Sequence, residues 1–442
     1  MSDFYIDRDT LTDLHLLDKD GDGVFDFFNQ TITKGGEEAL FDIFRDPITD
    51  LEEIKRRQAT IRFFMDCGHI EFNRESVDFV EHYLKKLNQP QTFSAFTMLR
   101  NTFQQFFRSD EMSYVKTQGA KDLFSNLHIL STIFSKCQTE TDIPLIRDAK
   151  KHLEKIMENP LFAQGIERPL QKLARYTTEK VYYLIRKRYY EEIRSLLNFL
   201  YQSDAYRAIA ITAQESGFTF PQYSDAESIQ MDLRGLFHPL LKDPVANDVA
   251  LDSSQHILFV TGANMSGKST LMKAVGIAVY LAHLGFPVPA KSMETSILEG
   301  MVTAINLPDN LRSGYSHFYS EVKRIKLVGE KLSESGHILA IFDELFKSTN
   351  VKDAYDGSLR IIQALLPIKT SFFIVSTHIL EIADKLADAE SIAFKHLKTN
   401  IRDHNFSFDY QLQDGVSRDR IGLWILEREG VFDLFKQKNY CG

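Results

Sequence analysis

The sequence predicts an α + α/β protein: a helical domain over residues 1–225, then an α/β domain over 226–442 with a mixed, mainly parallel sheet. Three observations predict it. Apolar residues recur at three- and four-residue spacing through the first half. A cluster of turn formers (Pro221, Gly235, Pro239 and Pro244) comes after Gly217 and marks a boundary. Beyond it, short apolar runs alternate with helical patterns, as in a parallel sheet flanked by helices.

The helices come first. Residues 37–44, 50–66 and 74–87 each carry an apolar stripe, with Pro47 and Pro90 as punctuation. Residues 97–107 and 119–137 continue in the same style. The clearest helix covers 177–201, with Val181, Leu184, Ile185, Tyr189, Ile193, Leu196, Leu197 and Leu200 on one face. Arg186, Lys187, Glu191, Glu192 and Arg194 form the opposite face, so this long amphipathic helix suits a stiff arm. Arg186-Lys187-Arg188 could touch a phosphate backbone, although a solvated helix face is the simpler reading.

In the second half, 257–260, 338–342 and 372–375 read as buried strands. Near the end Phe406, Phe408, Tyr410 and Leu412 alternate with polar residues, as in a half-exposed strand.

Composition bounds the function classes. Hydrophobic residues make up 43% and charged residues 26% of 442, an ordinary globular balance. The net charge of −9 gives no overall pull on nucleic acid, so any DNA contact must come from local basic patches. Cys67, Cys137 and Cys441 are widely spaced and read as reduced thiols. The N-terminus has no apolar signal region, and no apolar run approaches the ~20 residues that span a bilayer. A cytoplasmic protein without membrane contact is expected.

Residues 262–270 read GANMSGKST and fit G-x-x-x-x-G-K-[ST], with Gly262, Gly267, Lys268 and Ser269 at the fixed places. An apolar strand precedes the loop, and 271–283 reads as a helix, which is the context a phosphate-binding P-loop requires. Glycines let successive N–H groups turn inward around phosphates, and the helix N-terminus adds partial positive charge. Lys268 then neutralises β/γ oxygens while the Ser269 hydroxyl ligates Mg²⁺. Asp343 and Glu344 close the second strand, where Asp343 can hold the metal and Glu344 can orient or deprotonate water. Ser376-Thr377-His378 closes the third, within reach of a γ-phosphate. ATP and Mg²⁺ are the expected ligands.

These residues resemble the MutS family of DNA mismatch-repair ATPases. The loop is similar to that family's G-P-N-M-G-G-K-S-T, with Asn264 and Met265 as the telling positions. His238-Pro239 and the Pro244-Val245-Ala246-Asn247-Asp248 run resemble its H-P and F-x-x-N-D segments, which lead to the adenine pocket. Residues 311–318 (LRSGYSHF) with Glu321 resemble its signature loop, which places Ser316 against the ATP of a partner subunit. Ser376-Thr377-His378 and Tyr355-Asp356-Gly357 resemble its A-T-H switch and Y-D-G. The likeness reaches back, more weakly, over 10–225, through Thr33-Lys34-Gly35, Pro47 and Arg57-Gln58.

The resemblance implies a helical lever domain, its DNA-encircling clamp reduced or absent, and then an ABC-type P-loop ATPase domain with short C-terminal dimerisation helices. It implies a binding set of Val245, Gly262, Asn264, Met265, Ser266, Gly267, Lys268, Ser269 and Thr270, metal ligands Ser269 and Asp343, and catalytic roles for Glu344, His378 and Ser316. The implied partners are a second copy, or a MutS-like heterodimer partner, and duplex or branched DNA. The implied function is ATP hydrolysis controlling DNA binding in mismatch repair or recombination. The alternative is an ATP-gated scaffold with slow turnover. Departures are Phe346-Lys347-Ser348-Thr349 where the family has G-R-G-T, and His317 at the signature threonine.

Two features are read as coincidence. Asp18 to Asp26 mimics the start of an EF-hand loop, but Asn29 stands where the bidentate carboxylate belongs, so an acidic turn is expected. Phe79-Val80-Glu81 copies the family's mismatch-reading tripeptide, inside an amphipathic helix of the wrong domain.

Overall fold

The structure, a computed structural model, describes residues 4–18, 21–68, 72–87, 95–136, 143–168, 173–224, 228–263, 265–305, 317–334, 336–347, 349–402, 405–417 and 426–436. Of 95–112, 399–402, 405–407, 433, 435 and 436 it describes the backbone only. The chain divides into two compact units. An α/β unit comprises Met1–Phe27, Pro47–Lys55 and Glu215–Gly442, and a helical unit comprises Phe28–Asp46 and Arg56–Gln214. The expected break near 225 thus falls at Glu215, and two N-terminal stretches expected in the helical domain belong to the α/β unit.

Their hydrogen bonds explain why. In chain order the strands are β1 (Tyr5–Ile6), β2 (Gln222–Tyr223), β3 (Gln230–Leu236), β4 (Asn247–Asp252), β5 (Ile257–Thr261) and β6 (Ser292–Thr295). The remaining strands are β7 (Gly300–Ala304), β8 (Ile338–Asp343), β9 (Phe372–Ser376), β10 (Ile392–Arg402) and β11 (Asn405–Asp414). β1 adds a parallel edge to β7. Ile48 donates its N–H to the His283 carbonyl at 2.7 Å, and His283 Nδ1–H donates to the Ile48 carbonyl at 2.8 Å. Leu298 N–H donates to the other ring nitrogen of His283. Burial lowers the pKa of this histidine to about 4, so the ring is neutral, as one donor and one acceptor require.

The main sheet has the order β1-β7-β8-β9-β5-β10-β11. All its pairings are parallel except β10–β11. β5, β8 and β9 are buried along their whole length, which is why they read as continuous apolar runs rather than alternating ones. Ile257, Phe259, Ile338, Phe342 and Phe373 anchor this core, each side chain contributing roughly 1.5–3 kcal/mol by leaving water. A second sheet, β2-β6-β3-β4, belongs to the same unit. Among the described residues no helix is long and apolar enough to cross a membrane.

In the helical unit, 97–107 and 119–137 are one helix, Ala95–Lys136, of 42 residues. Gly119 does not break it, because the Tyr83 ring lies where a Cβ would stand, 2.4 Å away. The 177–201 helix extends over Arg175–Leu184 and Tyr190–Glu215, joined by a π-turn at Ile185–Tyr189. Glu192, expected on the polar face, is three residues after Tyr189 and four before Leu196, on the buried side of the helix, and pairs with Lys155.

Asp26 lies within the helix Val24–Phe28 and accepts from Gly23 N–H at 3.2 Å; Lys19 and Asp20 of the Asp18 to Asp26 run lie outside the described residues. Phe79 lies in the helix Arg74–Leu87, its ring edge-on to Tyr114, and Glu81 pairs with Lys85. Cys67, expected as a free thiol, is disulfide-bonded, a pairing that wide spacing could not reveal. Cys137 and Cys441 lie outside the described residues.

Candidate functional site

Three neighbouring parallel strands end together. Val260 of β5 is level with Ser376 of β9, and Ser376 with Asp343 of β8. The GANMSGKST loop and the two polar strand ends therefore meet by register alone.

The loop leaves β5 through Gly262, at φ 142°, where a Cβ would stand 2.9 Å from Ser266 Oγ. Gly267, at φ 99°, turns the chain into the helix Lys268–His283, whose first turn has no side-chain cap. Its leading N–H groups are thus free to meet an anion. Lys268 is buried, and its ammonium donates to the carbonyls of Gly262 and Ala263 at 2.8 and 3.0 Å. Burial lowers its pKa, and Glu344 and Asp343 oppose that shift.

Asp343 ties the three strands. One carboxylate oxygen accepts from the Ser269 hydroxyl and the other from the Ser376 hydroxyl. Glu344 comes next with φ 60°, a left-handed conformation, while its N–H donates to the Ser376 carbonyl at 3.2 Å. Its carboxylate lies 3.7 Å from His378 Nδ1 and 3.8 Å from Lys347 Nζ. The His378 imidazole holds the Glu344 carboxyl below its ordinary range against the opposing effect of burial, and Glu344 raises His378 in turn. Among the described residues, five that are not glycine have positive φ. Four of them (Met265, Glu344, Phe346 and Tyr410) line or flank this site, and strain of that kind gathers where function holds it.

A cavity of about 710 Å³ opens over the loop. Lys268, Ser269, Thr270, Asp343, Glu344 and Lys347 line it, together with Leu236, His238, Val245, Asn247 and Tyr410. Burial, with help from Lys273 and His15, lowers the His238 pKa to about 4, so the ring it presents to the cavity is neutral. Asn247 clasps the β11 backbone on both sides: its amide donates to the Tyr410 carbonyl at 2.9 Å and accepts from Leu412 N–H at 2.7 Å. That clasp holds Tyr410 at φ 55°, with its ring 3.2 Å from where a Cβ on Gly267 would stand.

Of the residues singled out from sequence, Val245, Met265, Gly267, Lys268, Ser269, Thr270, Asp343 and Glu344 line the cavity. Gly262 and Ser266 pack against each other within the loop, and His378 lies 3.7 Å from Glu344; none of the three is among the lining residues. Asn264 and Ser316 lie outside the described residues. Tyr410 and Lys347 were missed as site residues. Strand alternation marked Tyr410 only as half-exposed, and Lys347 carried no pattern of its own.

The donor set suits a phosphate-bound cation. Ser266 Oγ is buried and has no hydrogen-bond partner among the described residues, a polar atom of the loop left open there. Among the described residues no group of three or more His, Cys, Asp or Glu side chains could hold a metal by themselves. One hydroxyl and one carboxylate leave most positions of an Mg²⁺ to phosphate oxygens and water, as that ion prefers.

Residues 258–433 match the family model MutS domain V. The chain is 26% identical over 294 residues to the DNA mismatch repair protein MutS of Thermosipho melanesiensis, covering 65% of this chain and 34% of that protein. Against the protein of the same name from Lactococcus lactis subsp. cremoris it is 26% identical over 255 residues, covering 55% and 30%. Against that of Streptococcus thermophilus it is 27% identical over 253 residues, covering 55% and 29%. The chain thus spans about a third of the length of these relatives.

Proposed function

We infer that this chain, which belongs to the MutS family, binds Mg²⁺·ATP at the end of β5 and uses its hydrolysis to control DNA binding in mismatch repair or recombination. One observation carries the reading: the acids and the loop share one cavity, with Ser269 hydrogen-bonded to Asp343 and Glu344 beside Lys268.

On this reading Lys268 exchanges the Gly262 and Ala263 carbonyls for phosphate oxygens, and the uncapped N–H groups after Gly267 bind the same anion. Ser269 and Asp343 hold Mg²⁺, which when bound draws charge from the phosphates. Glu344, kept ionised by His378, accepts the proton of a water as its oxygen bonds to the γ-phosphorus and the bond to the departing ADP oxygen breaks. Val245 and Tyr410 flank the base. Asn264 and Met265 complete the loop. Ser316 serves the site of a second copy in a homodimer or MutS-like heterodimer. The helix Val431–Lys436 belongs to the dimerising end. A cytoplasmic location accompanies the reading.

A second reading is supported by the two basic side chains beside Glu344, His378 and Lys347. A carboxylate with a lowered pKa is a weaker base, which favours slow turnover and an ATP-gated scaffold. Steady-state ATP hydrolysis by the full chain, alone and with duplex, mismatched or branched DNA, separates the two. The repair reading expects at least one DNA to change turnover, and Glu344→Gln to retain ATP without hydrolysing it. Turnover that no DNA alters contradicts it and leaves the scaffold.

A further inference from the structure

The acidic balance of the chain hides an uneven division. The helical unit holds 26 lysines and arginines against 22 aspartates and glutamates, a formal charge of +4, while the whole chain stands at −9. Part of that surplus is gathered along the segment Arg175–Leu184 and the π-turn Ile185–Tyr189. Arg175, Lys180, Arg186 and Lys187 are exposed there, and none has an ion-pair partner among the described residues. Arg188 is also exposed and lies over the Tyr189 ring, 5.2 Å from its centre. Glu179, the acid within this stretch, is engaged by Lys116 at 2.8 Å. Glu191 comes after the turn.

Two tyrosines stand among these cations. Tyr176 is 79% exposed and Tyr183 61%, although tyrosine rings ordinarily find cover. Tyr176, Lys180, Tyr183 and Lys187 are spaced four, three and four apart, which places them along one helix face. The two rings stand about 10 Å apart along the axis, with Lys180 between them. The buried side of the same segment, Val181, Ile185 and Tyr189, fixes which face is outward. The π-turn then fans Arg186, Lys187 and Arg188 across the surface, and such turns gather at functional sites. A merely solvated face explains the charges but not the bare rings.

We propose that this face binds the unpaired bases of a single DNA strand, with Tyr176 and Tyr183 as stacking platforms and Lys180, Arg186 and Lys187 as phosphate contacts. Duplex DNA keeps its bases stacked on one another and offers the rings nothing. The choice of DNA, rather than RNA, rests on the proposed role in DNA repair.

The test is fluorescence anisotropy of the full chain with a labelled oligothymidylate of about 20 nucleotides, longer than one binding site, at several salt concentrations. Tyr176→Ala with Tyr183→Ala should weaken binding at least about tenfold while leaving duplex binding and the thermal midpoint unchanged. Arg186→Glu with Lys187→Glu should lower the slope of log affinity against log salt by about 1.4, the value of two single-strand phosphate contacts. Wild-type affinity for the single strand in both double variants overturns the proposal while leaving the DNA reading intact. So does an equal loss on duplex in the tyrosine variant, or preferential binding to RNA or to acidic phospholipid vesicles. A wild-type chain that binds no DNA in any form overturns both.

Discussion

Glu344 has two basic side chains within 4 Å, His378 and Lys347, and its backbone is held left-handed just beyond β8. The pair with His378 has opposite consequences for its two members. The carboxyl pKa lies below its ordinary 4.5, so its stabilisation is present above that value and is lost as pH falls through the lowered one. The imidazole pKa lies above 6.5, so its stabilisation is complete below that value and is lost as pH rises through the raised one. The stability difference between wild type and His378→Ala should therefore be largest between 4.5 and 6.5 and shrink on either side. The same variant should move the acid limb of the hydrolysis–pH profile upward, because Glu344 then titrates nearer its ordinary value. A limb that stays in place means that another group is the base. At this scale the sequence was most legible. Loop, acids and histidine each come directly after a strand whose apolar run is unmistakable. Tyr410 was not legible, because its position depends on a left-handed φ and on an Asn247 clasp 163 residues away.

Elements show a different balance between pattern and contact. β5, β8 and β9 were found from hydrophobicity alone, since a strand buried on both faces has little choice of residue. β1 has only two residues, too few for any period, and its place is set by contacts about 300 residues distant. Arg324, in the helix His317–Glu334, is 5% exposed and donates to Asp7, to Thr10 Oγ1 and to the Thr303 carbonyl. Asp13 accepts from the Thr303 hydroxyl at 2.7 Å and from Ile305 N–H at 2.9 Å. Removing one member of such a buried pair strands the other. Arg324→Met should therefore destabilise the α/β unit by roughly 3–5 kcal/mol in urea unfolding. Adding Asp7→Asn should cost little more, because the interaction is already gone. Equal and additive losses would mean that the two side chains do not act as a pair. The π-turn was equally hidden: its extra residue leaves no mark on composition, and three cations in a row, Arg186, Lys187 and Arg188, are exposed within it.

The whole molecule joins an acidic α/β unit to a basic helical one, a division that the summed charge concealed. The α/β unit resumes at Glu215, whereas the expected boundary was near 225 with each unit continuous. Two N-terminal stretches return to the α/β unit because β1 and Ile48 find their hydrogen-bond partners there. No local signal carries such a return. What the units share is the dependence of the proposed function on one event, the capture of a triphosphate by the loop after β5. Titration calorimetry of the full chain with Mg²⁺·ATP measures that event directly. Wild type should bind, and Lys268→Ala, which loses two charge-assisted contacts to phosphate, should bind about 100-fold more weakly or not at all. Undiminished affinity in Lys268→Ala, or no binding by wild type, would contradict the account.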